Sequence, residues 1–332
     1  MDGPAPLFVV GTGRCGSTML SDLLREHDRV LSLSEFFCFT TDFGGRIAQA
    51  FSPEPVDSAQ LWEIIAGARQ HALTVLNHDA THFRLLPRRA WNDWVANLFL
   101  AWPMFISVQG FRHFHGPHHR HLGEQGDGNR ALWHTHDAEG QPTPEWRYPK
   151  TAAQLFFKLL RRAAVLTGLF WIARGLVGGC LYGLSPIAHG MRMLLWGTVF
   201  ALLSRYGLWL EFAIYWVLPY CTWHAAAQYT RLVCEHSAVR SEDPRYARTR
   251  TTVPGPLARF FVLPRNIGYH LEHHWYPSVP FYNLPALHAR LAGRPEFRAH
   301  AQCTRSVLAS LRQCITWKAA GVLRALPARS TR

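Results

Sequence analysis

The pattern of apolar and polar positions divides the chain into stretches of different character. A short apolar run at Leu7–Val10, a glycine turn, a helical repeat through Leu24 and a second apolar run near Val30–Leu33 predict a β-α-β opening of soluble α/β type. The charged, proline-bearing segment SPEPVDSAQLWE follows. Between residues 67 and 122, histidine clusters alternate with one apolar stretch, Trp94–Val108, broken by Pro103. Residues 123–149 are rich in Gly, Pro, Asp and His and predict a loop. The chain is then strongly apolar from Ala152 to Ala227, and polarity returns through Arg231–Pro256. Beyond His300 the sequence is basic and predicts one or two short helices. The expected division is 1–66, 67–300 and a tail, 301–332.

Three segments compete to cross a membrane: Ala163–Leu184, Met191–Leu203 and Tyr206–Thr222. A crossing helix takes roughly 20 apolar residues, whereas about 10–14 suit a re-entrant or interfacial piece. If the histidines on either side of this region serve one site, the chain crosses an even number of times between them. That parity makes Met191–Leu203 and Tyr206–Thr222 the arms of a hairpin. Ala163–Leu184 carries Arg174 and follows Arg161 and Arg162, so it is expected to lie in the interface as a basic amphipathic helix. By the same parity Trp94–Val108 must return to its own side.

Composition agrees with a membrane setting. Hydrophobic residues make up 48% and charged residues 17% of the chain, with 13 Trp and a net charge of +13. The arginines are scattered between apolar runs rather than gathered in a stripe. This points to an anionic membrane face and argues against nucleic acid. The 7 Cys form no C-x-x-C pair, as expected of plain thiols in a reducing compartment. MDGPAPLFVV has no basic stretch before its apolar run, so membrane entry is expected from internal segments.

Histidine changes the picture, with 19 residues in a non-random arrangement. NHDATHF places His78 and His82 at i and i+4. RHFHGPHHRH places His115, His118 and His119 in an H-x-x-H-H pattern, with His113 and His121 beside it. CEHS holds His236, and GYHLEHHWYP repeats H-x-x-H-H with His270, His273 and His274. Spacings of three and four put imidazoles about one helical turn apart, close enough to share one metal or two adjacent metals. Gly116 and Pro117 predict that His118 and His119 start a helix. Isolated histidines such as His189, His224 and His300 are expected to be structural. Imidazole suits iron, copper or zinc, so ligand type alone leaves the metal open. A zinc-protease reading lacks its H-E-x-x-H.

The stretches QHALTVLNHDATH, NDWVANLFLAWPMFISVQGFRHFHGPHHRH and LPRNIGYHLEHHWYPSVPFYNLPALH closely resemble the membrane fatty-acid desaturase superfamily in its bacterial form, over about residues 68–291. RLVCEHS resembles the R-x-x-x-E-H element that precedes the last box and adds His236. The resemblance implies a mainly α, helical integral-membrane di-iron fold. Its ligands would be His78, His82, His115, His118, His119, His236, His270, His273 and His274. It implies two non-haem irons, dioxygen as co-substrate, a lipid acyl substrate, and electrons from an external ferredoxin or b-type cytochrome. The boxes would sit on the cytoplasmic side of a bacterial inner membrane. Asp79, Glu235 and Glu272 are candidates to orient the imidazoles. The scaffold also serves lipid or carotenoid hydroxylases and ketolases, which only product analysis separates. Desaturases carry a membrane hairpin before the first box; here QHALTVL is the part of it that is recognisable.

VVGTGRCGSTMLSDLL matches G-x-G-x-x-G at Gly11, Gly13 and Gly16, with Glu35 following 19 residues after Gly16, a weak dinucleotide signal. With SLSEFF after it, the stretch over 6–66 resembles the start of a bacterial sulfotransferase. That resemblance implies phosphosulfate contacts from Arg14, Gly16, Ser17 and Thr18. A lone β-α-β unit is too small to bury a core, and no later region supplies a 3′-phosphate site. The expectation is therefore a fused P-loop-like fragment without sulfonate transfer. The competing readings are a phosphosulfate-binding transferase, or a chimera without activity.

Overall fold

The computed structural model describes residues 58–181 and 183–315. The chain divides into two compact units, Met1–Ile64 and Ile65–Arg332. The expected β-α-β fragment, with Arg14, Gly16, Ser17 and Thr18, lies outside the described residues. Those that are described are mainly helical.

Helix α1, Ser58–Thr81, runs for 24 residues into the first histidine box, about 36 Å at 1.5 Å per residue. It begins well before Gln70, because SAQLWE is helical rather than a linker. Gly67 is what lets it close on its neighbour: a Cβ there would meet Trp223 Cβ at 2.7 Å and the Pro219 carbonyl oxygen at 2.9 Å.

Helix α2, Arg89–Ala96, continues through a π-helical turn, Asn97–Ala101, and the chain reverses before α3, Val108–Arg120. The pairing order is that of an antiparallel hairpin. Arg112 binds both carboxylate oxygens of Asp93 at 2.9 and 2.7 Å, and Asn97 donates to Gln109 at 2.9 Å. The Asn97 side-chain oxygen also accepts the Val108 N–H at 2.9 Å. Trp94–Val108 therefore does turn back. The expectation at Pro117 is corrected: α3 passes through Gly116 and Pro117 and ends at Arg120, so His118 and His119 lie in a last turn, not a first. The proline costs one backbone bond to His113, close to the helix end.

The stretch expected to be loop contains a short helix, α4, Gly128–Trp133. Then come α5, Ala152–Arg162, with a Thr151/Gln154 capping box, and α6, Val165–Leu181. The basic amphipathic pattern belongs to α5, which carries Lys158, Arg161 and Arg162 and exposes Phe156, Phe157 and Leu160. Within α6 Arg174 is the one charge. Its Gly168 lies against Cys221, and a Cβ on Gly175 would meet the Phe105 carbonyl oxygen at 2.8 Å.

Helix α7, Pro186–Tyr206, is longer at both ends than the expected Met191–Leu203. Ser185 caps its start and Gly207, in the left-handed conformation, ends it. Among the described residues it is the one helix long and apolar enough to cross a membrane. The third apolar segment is one irregular helical rod: α8, Trp209–Phe212, π-helical turns Ala213–Val217 and Tyr220–His224, then α9, Ala225–His236.

Beyond α9, strand β1, Thr251–Thr252, pairs in parallel with β2, Cys303–Thr304. Between them lie α10, Pro256–Phe261, α11, His270–Trp275, α12, Leu284–Ala292, and α13, Pro295–His300; α14, Val307–Arg312, follows β2. The Thr252, Thr304 and Ser310 hydroxyls join β1, β2 and α14.

Candidate metal centre

Helix geometry explains how two H-x-x-H-H boxes can serve two positions at once. Residues four apart on a helix differ by about 40° in direction, whereas the residue three along lies about 60° to the other side. On α3, His115 and His119 therefore point together and His118 diverges. On α11, His270 and His274 point together and His273 diverges. The two helices face each other, and each sends its pair to one group and its single histidine to the other. His78, in the last turn of α1, and His82, just past it, complete one group: His78, His82, His115, His119 and His273. His236, at the end of α9, completes the second: His118, His236, His270 and His274. In each group the ligand atoms lie within 4.8 Å of one another.

The contacts within the groups are nitrogen to nitrogen. His115 Nε2 lies 2.9 Å from His82 Nε2 and 3.0 Å from His119 Nε2, which is 3.1 Å from His273 Nε2. In the second group His270 Nε2 lies 2.9 Å from His236 Nε2 and 3.1 Å from His274 Nε2. Two nitrogens bound to one ion at about 2.1 Å and at right angles sit about 3.0 Å apart. Both ring nitrogens of His78 are buried without a hydrogen-bond partner. A close set of lone pairs and an orphaned buried imidazole is unfavourable alone and is resolved by a cation, so these residues fit a metal pair.

The surroundings keep the rings in the neutral form that binds metal. Burial, with the Arg112 and Arg84 charges nearby, lowers His82 to about 4. Burial and neighbouring histidines push His115, His270, His273 and His274 well below the usual imidazole range.

Behind the rings the two groups differ. The Asp127 carboxylate accepts from His118 Nδ1 at 2.8 Å and caps α4 through the Asn129 N–H, also at 2.8 Å. Its other oxygen accepts the Gly123 N–H at 2.7 Å. Burial alone would raise this carboxyl; the His118 contact and the two backbone donors pull it below its ordinary value. His236 Nδ1 donates to the Arg248 carbonyl at 3.1 Å. His270 Nδ1 lies 3.4 Å from Glu235, which is paired with Arg231. Burial pushes Glu235 up to about 7 against that arginine.

Of the three carboxylates expected to orient imidazoles, Glu235 stands behind a box histidine and Asp79 lies 3.6 Å from His78 Nδ1. Glu272 does not serve the boxes. Its oxygens are taken by His288 Nδ1 at 2.5 Å and the Thr251 hydroxyl at 2.6 Å. That turns it toward α12 and away from the clusters. His113 and His121 join neither group. His224 stacks on Tyr220 and contacts the Thr74 hydroxyl, a structural role.

A cavity of about 470 Å³ lies beside the centre, among α3, α4, α6 and the π-helical turn at Tyr220, a size usual for small-molecule sites. Its wall is mainly apolar. Phe111, Phe114, Leu132, Trp133 and Gln228 line both it and a smaller recess that reaches His115, His118, His236 and His270. An apolar space thus adjoins the histidine groups.

Comparison with known proteins agrees with this geometry. The family model for fatty acid desaturases matches residues 59–305. The chain belongs to the fatty acid desaturase family. It is 27% identical over 229 residues to dihydrorhizobitoxine desaturase of Bradyrhizobium elkanii, covering 67% of this chain and 64% of that protein. It is 30% identical over 249 residues to the human sphingolipid delta(4)-desaturase/C4-monooxygenase, covering 70% of this chain and 65% of that one. The matched region therefore spans just under two thirds of each of these relatives.

Sequence reasoning missed Asp127 and Asn129, and quoted Arg231 within RLVCEHS without giving it a part. For Asp127 the available signal was its place between two glycines ahead of the apolar turn of α4, where an N-cap belongs.

Proposed function

We propose that this chain is a membrane-bound di-iron desaturase acting on a lipid acyl chain, with the nine histidines as its iron ligands. The observation that carries the reading is the convergence of those histidines as five and four, with Nε2 atoms about one coordination edge apart, beside an apolar cavity. Bound iron would supply the activation of dioxygen needed to remove hydrogen from an unactivated C–H bond. The protein's own part is positional. Asp127 and the Arg248 carbonyl hold His118 and His236 by their far nitrogens and so aim Nε2 at the metal position. Phe111, Phe114 and Leu132 wall an acyl chain at the recess and keep water from it. Electrons come from a separate donor, a ferredoxin or a b-type cytochrome.

The membrane reading rests on α7 and the rod that follows it. α7 exposes Met193 and Leu194, 72% and 63% accessible, a disposition that suits lipid rather than water. Gly207 turns the chain back, so the two arms keep the boxes on one face, taken to be cytoplasmic.

A second reading, oxygen insertion rather than desaturation, is favoured by the human relative, which is named as a C4-monooxygenase as well as a desaturase. One experiment separates the readings. The chain and a His273→Ala variant are expressed with an electron-donor system, and lipids and iron are compared. New unsaturation with about two irons per chain, both reduced in the variant, supports desaturation. Iron with an oxygenated product supports the second reading, and absence of iron overturns both.

A further inference from the structure

The neck between the apolar cavity and the histidine recess is formed by the residues that line both spaces. These are Phe111, Phe114, Leu132, Trp133 and Gln228. The first four suit a hydrocarbon chain. Gln228 does not, because a plain saturated chain lying in the neck offers a carboxamide no hydrogen bond. Gln228 stands on α9 two turns before His236, about 12 Å along the helix.

The carboxamide oxygen of Gln228 is buried and accepts no hydrogen bond, an unfavourable state for a polar atom away from water. His71 lies beside it, and the Nδ1 of that ring is also buried without a partner. His71 cannot supply the missing donor. Its Nε2 faces the Val262 carbonyl at 3.0 Å, so the neutral ring carries its proton on Nε2 and Nδ1 is a lone pair. A half-turn of the carboxamide gives Nδ1 an N–H and leaves the oxygen as the free end. In both orientations the oxygen of Gln228 lacks a donor.

Building on the desaturase reading, we infer that Gln228 is a specificity-determining residue that accepts a hydrogen bond from a neutral donor on the substrate, a hydroxyl or an amide N–H. Charge excludes the other donors and acceptors. The charged residues lining the cavity are Arg162 and Arg174, so a cationic group would enter against positive charge. An anionic group would bring lone pairs to an oxygen that already lacks a donor. The substrate is then a lipid chain with a neutral polar group close to the carbons that reach the recess, and a bare hydrocarbon segment is disfavoured there.

The test measures equilibrium binding of three probes to the purified full chain in detergent, as parent, Gln228→Met and Gln228→Glu. The probes are a saturated long-chain methyl ester, its β-hydroxy ester and the N-methyl amide of the same chain, which differ in the donor they carry. The inference predicts that the parent binds at least one donor-bearing probe about tenfold more tightly than the plain ester. Which of the two is favoured identifies the donor. Gln228→Met, similar in shape but without the acceptor, should bind all three alike, whereas Gln228→Glu, which keeps an acceptor oxygen, should retain the preference. Equal binding of the three probes by the parent, or an undiminished preference in Gln228→Met, would overturn the inference. Turnover followed on the same probes with an electron-donor system tests the desaturase reading separately. A parent that prefers a donor-bearing probe but forms neither unsaturated nor oxygenated product would overturn that reading alone.

Discussion

The two histidine groups share α3 and α11 yet are held in different ways. The five-histidine position draws on α1, α3 and α11, and the Nδ1 atoms of its His78 and His119 are buried without a hydrogen bond, as are those of His270 and His274 in the other group. The four-histidine position has fewer imidazoles, but two of its rings, those of His118 and His236, are held from behind by Asp127 and the Arg248 carbonyl. One group has more imidazoles, and the other has two rings fixed from behind. The difference also shows what an H-x-x-H-H box does: one turn of helix feeds two histidine groups, and two such boxes facing each other exchange their pair and their single histidine.

The largest effects should come from removing a ligand. His273→Ala and His118→Ala are each expected to lower product formation by more than about 100-fold, with loss of iron at the five- and four-histidine positions respectively. Loss of both irons in each variant would show that the groups are one cooperative site and would break the comparison. Next comes Asp127→Ala, which should cost about 10–100-fold in metal affinity or activity, confined to the four-histidine position in a chelator competition titration. An equal loss at both positions would mean that the carboxylate supports the fold rather than one ring.

Leu132→Trp narrows the passage between cavity and recess and should cut turnover on the order of tenfold by misplacing the chain, with iron content unchanged. The smallest effect is expected from Arg248→Ala, under about twofold in iron content and activity. His236 is held by the main-chain carbonyl of Arg248, and the side chain's ion pair with Glu124 is exposed. A large loss there would reassign the hold on His236 to the side chain.

How much of this was legible beforehand follows from the range of each interaction. The boxes are local patterns, and spacings of three and four on a helix already imply a shared face, so eight members of the two groups were readable from spacing, and His236 only from the resemblance of RLVCEHS. The return of Trp94–Val108 and the hairpin after α7 followed from parity, without any contact being known. Helix ends were less legible. His189 and Gly190 dilute the apolar count at the start of α7, and the polar residues of SAQLWE hide the first turns of α1. What stands behind the rings was hidden because it depends on long-range packing. Asp127 reaches His118 only because Gly128 lets α4 close on α3, and Glu272 is drawn away by His288, a residue 16 positions on. Nothing in the spacing of Glu272 within its box distinguishes it from Glu235.

The most direct test of the central claim is iron content per chain by elemental mass spectrometry, on purified parent, His273→Ala and His118→Ala protein. The account predicts about two irons in the parent and about one in each variant, as expected of two positions fed by the same pair of helices. A parent without iron, or variants that keep the parent's full complement, would contradict it.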